Sequence, residues 1–193
     1  MRLVIGITGA SGAIYGVRLL EALHGRPGVE TLLVISQAAQ LVLPQETGRS
    51  LEEVQALATR TFADTDLGAP IASGSFPTDG MVVAPCSIKT LSALANSYAD
   101  TLIARAGDVA LKERRRLILL VRETPLHAGH LRLMLSLAEL GALIMPPVPA
   151  FYARPATIDD LVNHTIGRVL DHLGLEHSLY RPWQGLTPPH LGV

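Results

Sequence analysis

Cysteine and charged residues are scarce in this chain of 193 residues. The single cysteine, Cys86, excludes a disulfide bond within the chain and suits a reducing cytoplasm. Charged residues make up 17% of the sequence and the formal net charge is −1, so the charge balance indicates neither a nucleic acid nor an anionic membrane as a partner. No apolar run reaches the ~20 residues of a membrane span, and the N-terminal residues lack the pattern of a secretory leader. We therefore expect a cytoplasmic protein.

Apolar residues are correspondingly abundant. Hydrophobic residues make up 48% of the chain, and the mean hydropathy of +0.32 is high for a protein without a membrane span. A chain of this length forms one core, and the remaining apolar surface is most easily buried between subunits. We therefore expect a homo-oligomer.

Strand-like runs alternate with helical patterns along most of the chain. The strands are expected at Leu3–Thr8, Val29–Ile35, Met81–Pro85, Leu117–Val121 and Ala142–Met145. The helices are expected at 12–24, 37–43, 51–58, 87–96, 101–115, 127–140 and 158–173. Strands that are apolar on both faces and separated by helices predict a three-layer α/β fold with a mainly parallel sheet. Ligands of such folds bind at the carboxyl ends of the strands.

The first strand runs directly into a glycine-rich turn, Gly9-Ala10-Ser11-Gly12-Ala13, and then into a helix. Backbone N–H groups and the helix dipole make such a turn a site for an anion, most often a phosphate. Glycine keeps Cβ atoms away from the ligand, and Ser11 adds a hydroxyl. The alternative is a turn that only packs the helix on the strand.

The spacing of the glycines favours a mononucleotide over NAD. The glycines follow the order Gly6-x-x-Gly9-x-x-Gly12, which differs from the dinucleotide pattern G-x-G-x-x-G. An NAD site also places a carboxylate at the end of the second strand, where this chain has Ser36. FMN, with a single phosphate, fits these residues better.

Other strand ends are polar as well. The third strand leads into Ser87-Ile88-Lys89-Thr90, and the fourth leads into Arg122-Glu123-Thr124-Pro125. Taken singly, Ser36 and Ser87 are ordinary helix caps. Taken together, these residues predict a polar rim around one crevice. We expect no metal site, because His127 and His130 lack further ligands at suitable spacing and Asp159-Asp160 fits the start of a helix.

Four segments together resemble the flavin prenyltransferases of the UbiX family: GITGASGAIYGVRLLEAL, VISQAAQLVLPQET, ASGSFPTDGMVVAPCSIKTLSALANSYADTLIARAGDVALKERRRLILLVRETP and PAFYARPATIDDLV. The resemblance covers about residues 1–185. It implies a Rossmann-like (flavodoxin-like) fold with one FMN-binding domain over 1–174. It also implies a C-terminal tail over 175–193 that docks near the active site or on a neighbouring subunit.

The activity that the resemblance implies is the transfer of a dimethylallyl group from dimethylallyl phosphate to N5 and C6 of reduced FMN. The product, prenylated FMN, then serves a partner decarboxylase of the UbiD type. Members of the family assemble as dodecamers with active sites where subunits meet. No Asp-rich motif is present to hold Mg²⁺, and arginine and lysine can neutralise a monophosphate without a metal.

The resemblance also assigns roles to individual residues. The FMN contacts fall on Gly9, Ala10, Ser11, Ser36, Ser87, Ile88, Lys89, Thr90 and Arg122. The catalytic set is Glu46 for proton transfer, Glu123, Ser11, and Trp183 closing the pocket over the allyl group. The phosphate of dimethylallyl phosphate is assigned to Tyr152, Arg168 and Lys112. Many members have lysine in place of Arg168, and either cation suits a phosphate.

Two alternatives stay open at this stage. An FMN-dependent decarboxylase of cysteinyl peptides uses a histidine base in the first half of the chain and an Asn-Met segment. This chain offers only His24, near the predicted end of the first helix, and has Glu123-Thr124-Pro125 in place of that segment. A non-catalytic flavin-binding protein would explain Ser11, Ser36 and Arg122. It would leave no reason for Glu46, Lys112, Tyr152, Arg168 and Trp183 to occur together.

Overall fold

A computed structural model describes residues 1–185 of the chain. Its strands are β1 (Arg2–Ile7), β2 (Glu30–Ile35), β3 (Arg60–Ala63), β4 (Gly80–Cys86), β5 (Arg116–Val121) and β6 (Leu143–Ile144). Its helices are α1 (Ala13–Leu23), α2 (Gln37–Thr47), α3 (Leu51–Gln55), α4 (Ile88–Ala95), α5 (Leu102–Lys112), α6 (Ala128–Glu139) and α7 (Ile158–Leu173). A short 3-10 turn covers Pro70–Ala72.

The six strands form one parallel sheet in the order β3-β2-β1-β4-β5-β6. The central strands β1 and β4 are buried almost throughout, as expected for strands covered by helices on both faces. This arrangement confirms the predicted α/β fold with a mainly parallel sheet.

Strand β3 is the one strand that the sequence pattern did not reveal. Its residues Arg60 and Thr61 are exposed, and it pairs only with β2 at the edge of the sheet. An edge strand with exposed side chains lacks the apolar run that marked the buried strands. Two predicted helices also extend too far, since α3 ends at Gln55 and α5 ends at Lys112.

The chain divides into two compact units, of which the first is Met1–Pro147 and the second begins at Val148. The first unit holds the sheet. The second holds α7, which starts with the predicted cap: Thr157 Oγ1 accepts from Asp160 N at 3.1 Å, and Asp160 Oδ2 accepts from Thr157 N at 2.9 Å. The single domain over 1–174 stays a prediction, and part of the predicted tail, residues 186–193, lies outside the described residues.

None of the helices between residues 1 and 185 combines the length and apolar character that crossing a bilayer requires.

Candidate active site

A cavity of about 510 Å³ opens where β1, β2, β3 and β4 end, which is the edge where parallel α/β sheets bind ligands. Its volume lies in the range of small-molecule and cofactor sites, ~300–1,000 Å³. The cavity is lined by Gly9, Ser36, Gln37, Ala38, Asp64, Thr65, Ser87, Lys89, Thr90, Ala93, Asp100, Thr101, Ile103 and Ala104.

Three helices begin at this cavity, and a hydroxyl caps each of them. Ser36 Oγ accepts from Ala39 N at 3.2 Å at the start of α2. Ser87 Oγ accepts from Thr90 N at 3.3 Å at the start of α4, and Thr101 Oγ1 accepts from Ala104 N at 3.3 Å at the start of α5. The positive ends of three helix dipoles therefore point toward one space, which favours an anion there.

The lining also contains charged side chains. Lys89 supplies a cation, and Asp64, just after β3, is buried with Oδ1 accepting from Ile103 N at 3.0 Å. Burial raises the pKa of Asp64, although the bond from Ile103 and the charge of Lys89 act in the opposite direction. Sequence reasoning missed Asp64 because it missed the strand that precedes it.

Gly9 allows the β1–α1 loop to approach the first turn of α2. A Cβ atom at Gly9 would lie 2.4 Å from Ala38 Cβ, which is far inside contact distance. The loop is also tied to β4, since the buried Thr8 Oγ1 donates to Pro85 O at 2.7 Å and accepts from Ser87 N at 2.8 Å. Gly9 therefore has two roles: it lets the loop pack closely against α2, and it forms part of the cavity wall.

The Glu46 carboxylate, from the last turn of α2, lies at the start of α1. Its Oε2 accepts from Gly12 N at 2.8 Å and from Ala13 N at 2.9 Å, and the Ser11 side chain also hydrogen-bonds to it. Partial burial raises the pKa of Glu46, but these three hydrogen bonds and the charge of Arg122 outweigh it, so the net shift is downward. The N–H groups of Gly12 and Ala13, in the turn predicted to bind a phosphate, thus hold a protein carboxylate.

Arg122 and Glu123 follow β5 and are both exposed. Arg122 N donates to Cys86 O at 3.0 Å, which fixes the backbone at the end of β4. Glu123 Oε1 accepts from Thr124 N at 3.0 Å. The structure therefore brings Ser11, Glu46 and Arg122 together, as the charge of Arg122 acts on the Glu46 carboxylate.

The FMN residues implied by the resemblance fall into two groups. Five of them line the cavity: Gly9, Ser36, Ser87, Lys89 and Thr90. The other four do not line it: Ala10, Ser11, Ile88 and Arg122. Ile88 instead packs against the hydrophobic core.

Lys112 does not lie beside the cavity within its own chain. It is the last residue of α5, and a helix of 11 residues is about 16 Å long, while Thr101 at the other end lines the cavity. Lys112 forms an ion pair with Glu113, which lowers the pKa of Glu113.

The second unit contains the other residues assigned to the prenyl donor. The rings of Tyr152 and Trp183 meet edge to face with centroids 5.5 Å apart, and the Tyr152 hydroxyl lies 2.9 Å from His164 Nε2. These three side chains line a cavity of about 760 Å³. Arg168 Nη1 donates to Asp171 Oδ2 at 3.0 Å. Sequence reasoning missed His164 and Asp171, because their partners come from turns and segments with no recognisable motif.

Comparison with known proteins identifies the family. Residues 1–170 match the family model described as Flavoprotein. The flavin prenyltransferase UbiX of Salmonella typhimurium is 61% identical over 186 residues, covering 95% of this chain and 98% of the relative. The chain belongs to the UbiX family of flavin prenyltransferases. The resemblance stated from the sequence is thereby confirmed.

Two solved structures have the same fold. A dodecameric FMN-dependent UbiX-like decarboxylase from Escherichia coli O157:H7 is 51% identical, with a TM-score of 0.94 over 96% of this chain and 100% of that one. AnUbiX, solved with FMN and dimethylallyl pyrophosphate, is 47% identical, with a TM-score of 0.94 over 96% of this chain and 98% of that one. The predicted Rossmann-like flavoprotein fold is therefore confirmed.

Proposed function

We propose that this flavin prenyltransferase joins the dimethylallyl group of dimethylallyl phosphate to N5 and C6 of reduced FMN and releases prenylated FMN. The observation that carries the proposal is the 61% identity to a flavin prenyltransferase over nearly the whole chain. AnUbiX, with the same fold, was solved with both FMN and a dimethylallyl donor. The cavity at the sheet edge has a volume in the range of cofactor sites, and the positive ends of three helices suit the phosphate of a flavin mononucleotide.

The FMN phosphate is assigned to the starts of α2, α4 and α5. Lys89 provides its counter-charge, and the hydroxyls of Ser36, Ser87 and Thr90 provide hydrogen bonds. Ala10, Ser11, Ile88 and Arg122 remain proposed FMN contacts outside this described lining. Bound reduced FMN supplies the nucleophilic N5 and C6 atoms.

Glu46 and Glu123 are assigned different steps of proton transfer. The lowered pKa of Glu46 keeps it ionised at neutral pH, so it suits the acceptance of a proton from the flavin C6. Ser11 holds this carboxylate through its side-chain hydrogen bond. The exposed Glu123 is assigned the protonation of the leaving phosphate.

Two of the three residues assigned to the phosphate of the donor, Tyr152 and Arg168, lie in the second unit. Arg168, the Tyr152 hydroxyl and Lys112 neutralise this phosphate as the C–O bond breaks, and the rings of Trp183 and Tyr152 offer π faces to the positive charge on the allyl group. Because Lys112 is far from the cavity of its own chain, we propose that the active site is completed where subunits meet.

The decisive experiment is a mass spectrum of the flavin after anaerobic incubation of the protein with FMN, a reductant and dimethylallyl phosphate. We expect the flavin mass to increase by one C5H8 unit. Omission of the protein is the control. Unmodified FMN from the complete mixture would contradict the proposal.

Activity should not depend on a divalent metal. Among residues 1–185 there is no group of three or more His, Cys, Asp or Glu side chains placed to hold an ion. We expect the rate of prenylated FMN formation to be the same with and without EDTA. A loss of activity that Mg²⁺ restores would show that the arginine and lysine side chains do not suffice.

We also propose a homo-oligomer, with a dodecamer as the expected form. Helix α6 exposes Leu131 and Leu135, which are 52% and 59% accessible and lie on one face at i,i+4 spacing. The E. coli UbiX-like decarboxylase is dodecameric. We expect light scattering to give a mass far above the 20.6 kDa of one chain. An active monomer would contradict a site completed between subunits.

We propose a UbiD-type decarboxylase in the cytoplasm as the recipient of prenylated FMN, which the family resemblance supports.

The cysteinyl-peptide decarboxylase alternative gains nothing from the structure. His24, the histidine that it would need, follows α1 as its C-cap residue, with Nδ1 3.0 Å from Leu57 O, and it does not line the cavity at the sheet edge.

A further inference from the structure

Arg168 belongs to a network of four side chains within the second unit, the other three being Asp171, Tyr180 and His177. Its Nη1 donates to Asp171 Oδ2 at 3.0 Å and to the Tyr180 hydroxyl at 3.4 Å. Tyr180 in turn donates to the same Asp171 oxygen at 2.5 Å, and His177 Nε2 lies 2.9 Å from Asp171 Oδ1. His177 Nδ1 accepts from Leu179 N at 3.2 Å, so the ring proton is on Nε2 and faces the carboxylate.

A glycine in α7, Gly167, leaves the space that this network occupies. Tyr180 and His177 belong to the segment after α7, and this segment returns along the helix at Gly167. A Cβ atom at Gly167 would lie 2.4 Å from Tyr180 Cδ1 and 2.8 Å from His177 Cε1. Any side chain at this position would push the two rings away from Asp171.

Tyr180 also connects Arg168 to the second proposed phosphate ligand. Its ring lies against the His164 ring with centroids 4.6 Å apart. His164 Nε2 is 2.9 Å from the Tyr152 hydroxyl. Tyr180 therefore contacts Asp171, which orients Arg168, through its hydroxyl. It contacts His164, which orients Tyr152, through its ring.

The network leaves Arg168 with hydrogen-bond donors for a second anion. Partial burial raises the pKa of Asp171, but hydrogen bonds from Tyr180 and His177 and the charge of Arg168 outweigh it, and the carboxyl stays ionised. The hydrogen bonds described for Arg168 use Nη1, while a guanidinium has five N–H donors on three nitrogens. The network fixes one nitrogen and leaves a forked pair of donors to meet a phosphate.

We propose that Tyr180 is a positioning residue for the prenyl donor: its hydroxyl, through the carboxylate of Asp171, holds the Arg168 guanidinium in the orientation that binds the phosphate of dimethylallyl phosphate. The proposal rests on the proposed function, because that function assigns the phosphate to Arg168. An arginine on an exposed helix face otherwise samples many rotamers, and fixing it before binding removes that entropy loss from the binding step.

The test measures the effect of Tyr180→Phe in two backgrounds, the parent protein and the Arg168→Ala variant. The phenylalanine keeps the ring that packs at Gly167 and His164 and removes only the hydroxyl. We expect the Kd of dimethylallyl phosphate for the oxidised FMN complex, measured by isothermal titration calorimetry, to rise roughly 3- to 10-fold. The KM for dimethylallyl phosphate should rise by a similar factor, while kcat and the Kd of FMN stay within twofold. Tyr98→Phe, at an exposed tyrosine of the first unit, is the matched control.

The second background is Arg168→Ala, in which a hydroxyl that acts through Arg168 has nothing to position. There Tyr180→Phe should leave the Kd of dimethylallyl phosphate unchanged. An equal loss of affinity in both backgrounds, or no loss in either, would overturn the proposal. If Tyr180→Phe does not fold, Asp171→Asn provides the same comparison, since it removes the shared charge at constant size. A parent protein that forms no prenylated FMN would instead refute the proposed function itself.

Discussion

Replacement of Glu46 by glutamine should leave FMN bound but lower the rate of prenylated FMN formation by roughly 10²–10⁴-fold. The amide cannot accept the proton that flavin C6 loses. Its oxygen can still accept the hydrogen bonds from Gly12 N and Ala13 N, which in the parent both go to the single oxygen Oε2, so the start of α1 keeps its cap without the negative charge. Single-turnover assays with pre-reduced FMN measure the rate, and calorimetry measures the Kd of FMN.

The pH dependence of the parent protein provides a second reading of the same residue. The pKa of Glu46 is lowered below the 4.5 of an ordinary glutamate, and a base works only when ionised. Glu46 should therefore stay ionised to a lower pH than an ordinary glutamate, so the loss of activity that its own protonation causes should lie below pH 4.5. The same direction holds for stability: the contribution of Glu46 to folding is complete above its unfolded-state pKa and is lost as the pH falls through the lower folded-state value.

Glu139→Gln, at the exposed end of α6, is the matched control for the loss of one carboxylate. It should change neither the rate nor the affinity for FMN. Glu46→Gln should also lower the free energy of unfolding by about 1 kcal/mol, because an anion is removed from a helix N-terminus. A variant that turns over at the parental rate would show that Glu46 is only a helix cap.

Replacement of Gly9 by alanine should weaken FMN binding about tenfold, and the second substitution Ala38→Gly should restore most of the affinity. The added methyl group would lie 2.4 Å from Ala38 Cβ, so the loop or the start of α2 has to move at the wall of the cavity. Overpacking of this kind costs about 1–3 kcal/mol, and ~1.4 kcal/mol corresponds to a tenfold change in affinity. Calorimetric titration of FMN into the three variants provides the measurement.

The double variant is informative because it moves one methyl group from Ala38 to Gly9 without changing their number. Ala38→Gly alone should bind FMN nearly as well as the parent, apart from the lower helix propensity of glycine. If Gly9→Ala and the double variant bind FMN equally weakly, the close approach to Ala38 is not the reason for glycine at this position.

The fold was predictable because its central strands are short apolar runs between helices. Residues such as Ser36 and Ser87 could be placed on one rim from the sequence, since the carboxyl ends of parallel strands share an edge. Strand β3 was not predicted because an exposed edge strand has no apolar run. Asp64 was missed with it, although it lies in the wall of the cavity.

The contacts of Glu46 illustrate what the sequence could not provide. Family resemblance indicated the residue, but its hydrogen bonds to Gly12 and Ala13 join positions 34 and 33 residues apart. Such a contact depends on how α2 packs beside α1, and no local spacing encodes it. The network of Asp171, His177 and Tyr180 around Arg168 was missed for a similar reason, because it depends on the return of the segment after α7.

Trp183 is the only tryptophan in the chain, and it lies edge to face with Tyr152. Light at the red edge of indole absorption will therefore excite a single chromophore whose position is known. Its emission spectrum and lifetime report on the surroundings of Tyr152 without labelling or subtraction of other tryptophans. The protein thus carries an intrinsic optical probe for the arrival of a hydrocarbon ligand in its second unit.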